Sequence, residues 1–233
     1  MNAKSIIKDI KSYADPSRAK ELQRYFKTGK GEYGEGDIFI GLTVPQTRSL
    51  ARTHQQASLE TIAELLKSPI HEIRLCALLI LVQQFSKVLE EDQERIVRFY
   101  LRHKKYINNW DLVDLSAPSI LGSYALRSHD YGLINKLIKS KRLWDRRIGM
   151  LSTFPFIKKG KVDIVYRFAI ILMDDPEDLM HKAAGWMLRV AGKRDPERLL
   201  TFTQKNAKRM PRTMLRYAIE KFPPKKRKEL LSL

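Results

Sequence analysis

The sequence predicts an all-α protein built from antiparallel helix pairs. Three observations carry that prediction. Apolar residues recur at helical spacing along nearly the whole chain, clear alternating strand patterns are absent, and prolines separate one helical stretch from the next. The breakers are Pro16, Pro45, Pro69, Pro176, Pro196 and Pro211, which leave connections short enough to join antiparallel neighbours.

Taken in chain order, the nearest thing to a strand is Ile38-Phe39-Ile40-Gly41-Leu42. It is short and bounded by Gly36 and Pro45, so it reads as a loop leading into a helix that starts near Pro45. Ile62, Leu65 and Leu66 mark the next helix, and Ile73, Leu75, Ala77, Leu78 and Val82 the one after it. Ile164, Phe168, Ile171 and Leu172 mark another in the second half. Polar residues embedded in apolar helices then recur at Arg74, Asp114, Arg147, Lys182 and Thr213, with successive spacings of 40, 33, 35 and 31 residues. That is the range of two-helix repeats of the HEAT and armadillo type. The expected architecture is therefore a HEAT-like helical repeat solenoid, a single domain over residues 1–233, with one helix of each pair lining a concave basic groove. An irregular helical bundle satisfies the same periodicity.

Composition narrows the partners. The 233 residues carry 44 Lys and Arg against 26 Asp and Glu, a formal charge of +18, spread along the chain rather than confined to a tail. This is the electrostatic footprint of a nucleic-acid binder, with an acidic protein or ribosome surface as the alternative. Only Lys225-Lys226-Arg227-Lys228 forms a tight basic run, and a solvated end explains it as well as phosphate contact does. The longest strictly apolar run, Leu75 to Val82, is eight residues, against roughly 20 needed to cross a bilayer as a helix. Met1 to Tyr13 has no continuous apolar core of a secretory signal, and the lone Cys76 has no disulfide partner. A reduced, cytoplasmic location is expected, one that nucleic-acid binding would make nucleoid-associated.

The segment richest in chemistry is Asn108-Asn109-Trp110-Asp111-Leu112-Val113-Asp114. Residues four apart share a helix face, so Trp110 and Asp114 look out together while Leu112, Val113 and Leu115 turn elsewhere. Asp111 competes with Asp114, but near a helix start, with Asn108 or Asn109 as cap, it serves economically as a complement to the helix dipole. In Leu143-Trp144-Asp145-Arg146-Arg147-Ile148, the stripe Trp144, Ile148 and Leu151 is bordered by Arg147, with Arg146 turned about 100° away. Arg147 is thus the better inward-facing ligand for phosphate or carboxylate.

Met180 to Arg189 combines small residues, which let a backbone or ligand come close, with Trp186 and the basic flanks Lys182, Arg189 and Lys193. That tryptophan is either core or a nucleic-acid-facing ring. Gln23-Arg24-Tyr25-Phe26-Lys27 interleaves aromatics with bases, which suits either a nucleic acid backbone or a packed helix end. No Cys-x-x-Cys, His-Glu-x-x-His, P-loop or dinucleotide fingerprint is present, so no metal and no cofactor is expected. His71, His103 and His181 read as surface or helix-cap residues.

Asn109-Trp110-Asp111-x-x-Asp114, Trp144-x-x-Arg147-Ile148 and Lys182-Ala183-x-Gly185-Trp186-Met187-Leu188-Arg189 together resemble the signature segments of the AlkD-type DNA alkylation repair glycosylases. Tyr25-Phe26-Lys27 followed by Gly41-Leu42-Thr43-Val44-Pro45-x-x-Arg48 is similar to that family's opening helices and joining loop, so the resemblance runs from about Tyr25 to Pro223. It implies a HEAT-like solenoid cupping duplex DNA, and excision of positively charged alkylated purines such as 3-methyladenine and 7-methylguanine. It further implies that Asp114 is the catalytic carboxylate, Trp110 and Trp186 the groove tryptophans, Arg147 the active-site arginine and Tyr25 a DNA contact, with Arg48, Lys182 and Arg189 as further DNA-binding candidates. In that family the lesion is engaged without entering a deep pocket, the aromatics touching deoxyribose and backbone beside it. Some relatives lack the catalytic set and bind DNA without excision, whereas this sequence retains it.

The implied chemistry asks for few groups. An ordinary glycosidase uses two carboxylates, one of them to protonate the leaving group. A purine already cationic leaves as a neutral base, so one ionised carboxylate suffices to stabilise the oxocarbenium-like sugar and position water. A monomer is the expected working form. The rival expectation is a non-catalytic helical-repeat scaffold that binds nucleic acid or an acidic protein.

Overall fold

The computed structural model describes residues 2–233. Met1, the first residue of the N-terminal stretch weighed above as a secretory signal, lies outside the described residues. Among those described there are sixteen α-helices, and in place of any sheet one isolated parallel bridge between Ile38 and Ile70. None of these helices is long and apolar enough to cross a membrane. The chain divides into two compact units, Met1–Ile120 and Leu121–Leu233.

The first unit holds α1 (Ala3–Lys11), α2 (Pro16–Tyr25), α3 (Val44–Thr53), α4 (Leu59–Leu66), α5 (His71–Lys87), α6 (Glu90–His103) and α7 (Trp110–Ser116). Helix starts follow local chemistry. Asp15 accepts from the backbone N–H groups of Ser17 and Arg18 with Pro16 at the first helical position, and Thr43 and Gln46 form a reciprocal capping box that spans Pro45. Each such cap contributes about 1 kcal/mol by satisfying N–H groups that the helix cannot. The helix expected near Pro45 is α3, and the Ile38–Leu42 segment is a loop apart from its single bridge.

The central element is α5. Its run Leu75–Leu81 is buried on every side, which is why the sequence there loses its amphipathic period. It packs against α3, α4 and α7, so the helix bearing Trp110 and Asp114 rests directly on the core. Each fully buried Leu or Ile contributes roughly 1.5–3 kcal/mol.

The second unit holds α8 (Ser123–Ser128), α9 (Gly132–Leu137), α10 (Leu143–Leu151), α11 (Phe154–Lys158), α12 (Asp163–Ile171), α13 (Asp178–Gly192), α14 (Pro196–Asn206), α15 (Arg212–Ala218) and α16 (Pro224–Leu231). Here α13 is central, packing on α10, α12, α14 and most extensively on α15. Its approach to α15 depends on Gly185: a Cβ there would lie 2.6 Å from the Met214 carbonyl oxygen and 2.6 Å from Tyr217 Cβ. The small residue in the Trp186 segment therefore admits a neighbouring helix backbone.

Candidate active site

In the first unit the site is built on α7. Asn109, with extended backbone (φ −147°, ψ 158°), is the cap, and its side-chain oxygen accepts from the Trp110 N–H at 2.8 Å. Of the two asparagines that the sequence offered, it is Asn109 that caps. Trp110 and Asp114 are both half-buried, one helical turn apart, whereas Leu112 and Val113 are fully buried; Leu115, expected to turn away with those two, is half-buried as well.

The Trp110 ring is held in an aromatic stack. It lies parallel to Phe26, centroids 4.9 Å apart at 9°, and Tyr25 meets it edge-on at 6.0 Å. Phe26 is buried and stacks on Phe39 at 4.7 Å, while Tyr25 is 66% exposed. The α2 end thus serves both readings offered above: Phe26 is packed, Tyr25 presents its ring to solvent. The loop after it folds back through Gly34, where a Cβ would sit 2.4 Å from the Phe26 carbonyl oxygen.

Beneath this stack lies a set of buried charges. His71 is 1% exposed, with Nδ1 2.9 Å from Asp37 Oδ2 and Nε2 2.8 Å from Asp111 Oδ2. Arg74 pairs with the other Asp37 oxygen and donates to the Ser68 carbonyl at 2.9 Å, and the Asn109 amide donates to Asp37 Oδ2 at 2.9 Å. Burial disfavours a charged imidazole, but Asp111 and then Asp37 outweigh it and raise the His71 pKa to about 9. Burial likewise opposes ionisation of Asp37, yet hydrogen bonds from His71 and Asn109 and the charges of Arg74 and His71 hold its carboxyl below the usual range. His71 does open a helix, as a cap-like residue would, but it is buried and ion-paired rather than on the surface, because two carboxylates from distant segments close over it. Asp111 sits in the first turn of α7 as expected, with a second task as the partner of that buried ring.

Glu72, next to His71, accepts from the backbone N–H groups of Ile40, Gly41 and Leu42, at 2.8 Å for Gly41. Gly41 has φ +95°, and a Cβ there would lie 2.1 Å from the Asp15 carbonyl oxygen, so no other residue fits this turn. Sequence reasoning passed over Asp37 and Glu72 and read His71 only as a surface or helix-cap residue. The available signal was a pair of titratable residues opening the helix that carries the longest apolar run of the sequence.

In the second unit Arg147 is 5% exposed and donates to the Leu179 carbonyl, in the first turn of α13, at 3.0 Å. Arg146, turned the other way, pairs with both oxygens of Asp175 at 2.6 and 3.0 Å and donates to the carbonyls of Ser140 and Lys141. Trp186 is half-buried, neither a full core residue nor an open ring. Lys182 pairs with Asp178 at 2.8 Å and Arg189 with Glu220. Arg48 is exposed on α3. No three His, Cys, Asp or Glu side chains among the described residues are grouped to hold a metal ion.

Helices packed together with no sheet among the described residues, on a strongly basic chain, define an all-α protein. The profile of a family described as DNA alkylation repair enzyme matches residues 6–222, and the chain belongs to that family. A solved structure described as a predicted DNA alkylation repair enzyme from Enterococcus faecalis is similar, with a TM-score of 0.71 at 16% identity over 91% of this chain and 97% of that one. At that identity the likeness is one of fold, and the fold is all-α and HEAT-like. Comparison with curated protein sequences gives no match.

Proposed function

We propose that this DNA alkylation repair family member is a glycosylase that releases cationic alkylated purines, 3-methyladenine and 7-methylguanine, from duplex DNA. The observation that carries the reading is the α7 face, where a half-buried carboxylate, Asp114, stands one helical turn from the half-buried Trp110 ring. In the proposed reaction the C1′–N bond breaks with its electron pair going to the purine, which leaves neutral. The ionised Asp114 carboxylate stabilises the positive charge that develops on the sugar. The Trp110 face attracts the same charge through its quadrupole. Water adds to C1′, losing a proton to Asp114 or solvent.

A proton donor for the leaving group is unnecessary because alkylation has already made the base cationic. Tyr25, Arg48, Lys182 and Arg189 are proposed as DNA contacts, the last two exchanging their present carboxylate partners for phosphate, which makes binding salt-sensitive. Arg147 and Trp186 are proposed participants, and Arg147→Ala tests the first of them. A monomer is the proposed active form.

The deciding experiment incubates the purified protein with methylated duplex DNA and measures free base. Alkylated purine above a no-protein control establishes the enzyme. Release no greater than that control, from protein that binds the DNA, would assign the chain to the non-catalytic binders instead.

A further inference from the structure

We propose that His71, held as an imidazolium between Asp37 and Asp111, is the positioning residue that fixes the Trp110 ring and the first turn of the helix carrying Asp114. The inference rests on reading the α7 face as the reaction site and adds a control on its geometry.

The protonation state follows from hydrogen-bond counting. Both ring nitrogens face carboxylate oxygens, which accept and do not donate, so both must carry hydrogen. The raised pKa of about 9 agrees with that geometry. The local charges balance, with Asp37 and Asp111 negative against His71 and Arg74 positive. Glu72, the remaining charged neighbour on α5, is turned to the Ile40–Leu42 backbone.

From this cluster two connections reach the proposed site. The first is through hydrogen bonds: Asp111 binds His71 with one oxygen and the Leu112 N–H with the other, while Asn109 bridges Asp37 and the Trp110 N–H. Residues on both sides of Trp110 are thereby tied down. The second is through rings. His71 stacks on Phe39 at 4.4 Å and tilts against Phe26 at 5.2 Å, and Phe26 in turn stacks on the Trp110 ring at 4.9 Å. Loss of the His71 proton sets one bare nitrogen against a carboxylate, a repulsion that the low-dielectric interior does not screen. Both connections then slacken together.

The test begins with the unsubstituted protein and needs no activity. An NMR pH titration follows the His71 ring nitrogens and the Trp110 indole proton. The expected result is a doubly protonated ring at pH 7.5, with the indole resonance moving at the same alkaline midpoint as His71. A ring that titrates near the ordinary 6.5, or an indole resonance flat through the His71 midpoint, overturns the inference. The second measurement compares H71Q with the unsubstituted protein on 7-methylguanine duplex. Single-turnover excision should fall on the order of 100-fold, as expected for a displaced catalytic geometry, with little change in affinity for undamaged duplex. Equal excision rates and an unmoved indole resonance in H71Q also sink it. Should the unsubstituted protein release no base, the proposed function fails while the two NMR readouts still decide the role of His71.

Discussion

His71 Nε2 lies 2.8 Å from Asp111 Oδ2, which ties the start of α5 to the first turn of α7 three residues before Asp114. That bond separates two carboxylates that look alike in the sequence. Asp111 is buried, 6% exposed, and committed to an internal partner, whereas Asp114 is half-buried on the Trp110 face.

The two should therefore respond differently to the same substitution. Asp114→Asn is expected to abolish release of 7-methylguanine while leaving DNA affinity largely intact, measured by base release and equilibrium binding on the folded variant. Asp111→Asn removes one partner of a buried ion pair and should lower stability, by about 3–5 kcal/mol where such pairs are broken. Undiminished excision by folded Asp114→Asn would refute the assignment of that carboxylate.

Stability should fall on the alkaline side. The His71 pKa is raised in the folded state from 6.5 to about 9, so its contribution is fully present below 6.5 and is lost as pH rises through 9. A shift of that size corresponds to about 3 kcal/mol. Asp37, whose folded pKa is lowered, acts in the opposite direction, its contribution being lost as pH falls through that depressed value. Denaturant titrations from pH 6 to 10 should show the alkaline loss in the unsubstituted chain, and a much smaller one in His71→Gln.

Arg147→Ala should weaken DNA binding and excision together. Because Arg147 also donates to Leu179 inside the second unit, the same variant should melt earlier. Arg146→Ala is the control: it breaks the Asp175 pair and should lower the melting temperature with binding unchanged at a temperature where the protein is folded. Unchanged binding and excision in Arg147→Ala would remove that residue from the proposed site.

Gly185→Ala should destabilise the second unit by about 1–3 kcal/mol, since a Cβ would press on backbone atoms of α15 that cannot rotate away. Thermal denaturation reads this directly. A neutral effect would show that α13 and α15 separate easily.

Binding of undamaged duplex should weaken linearly in log–log form as salt rises, with a slope set by the number of phosphates contacted. Arg48→Ala and Arg189→Ala should each reduce that slope by about one if each meets a phosphate. An unaltered slope in either variant would strike that residue from the contact set.

Much of the fold was legible in the chain. Pro16, Pro45 and Pro196 fall in the first turns of helices and Asp15, Thr43 and Asp195 cap them, because capping is chemistry among near neighbours. The Trp110 and Asp114 face was legible for the same reason, helical spacing alone determining it. His71 was the exception. As an isolated residue it looks like an ordinary helix-start histidine, and nothing local announces that it is charged.

What the sequence determined by itself is the all-α class, the basic character and the pairing of an aromatic with an acid on one helix face. Each of these depends on composition or on residues within a turn or two of each other. Only the tertiary structure decided which carboxylate is buried against His71 and which is half-buried. Asp37 and Asp111 lie 34 and 40 residues from His71, and their charges become strongly coupled only after burial removes the water between them.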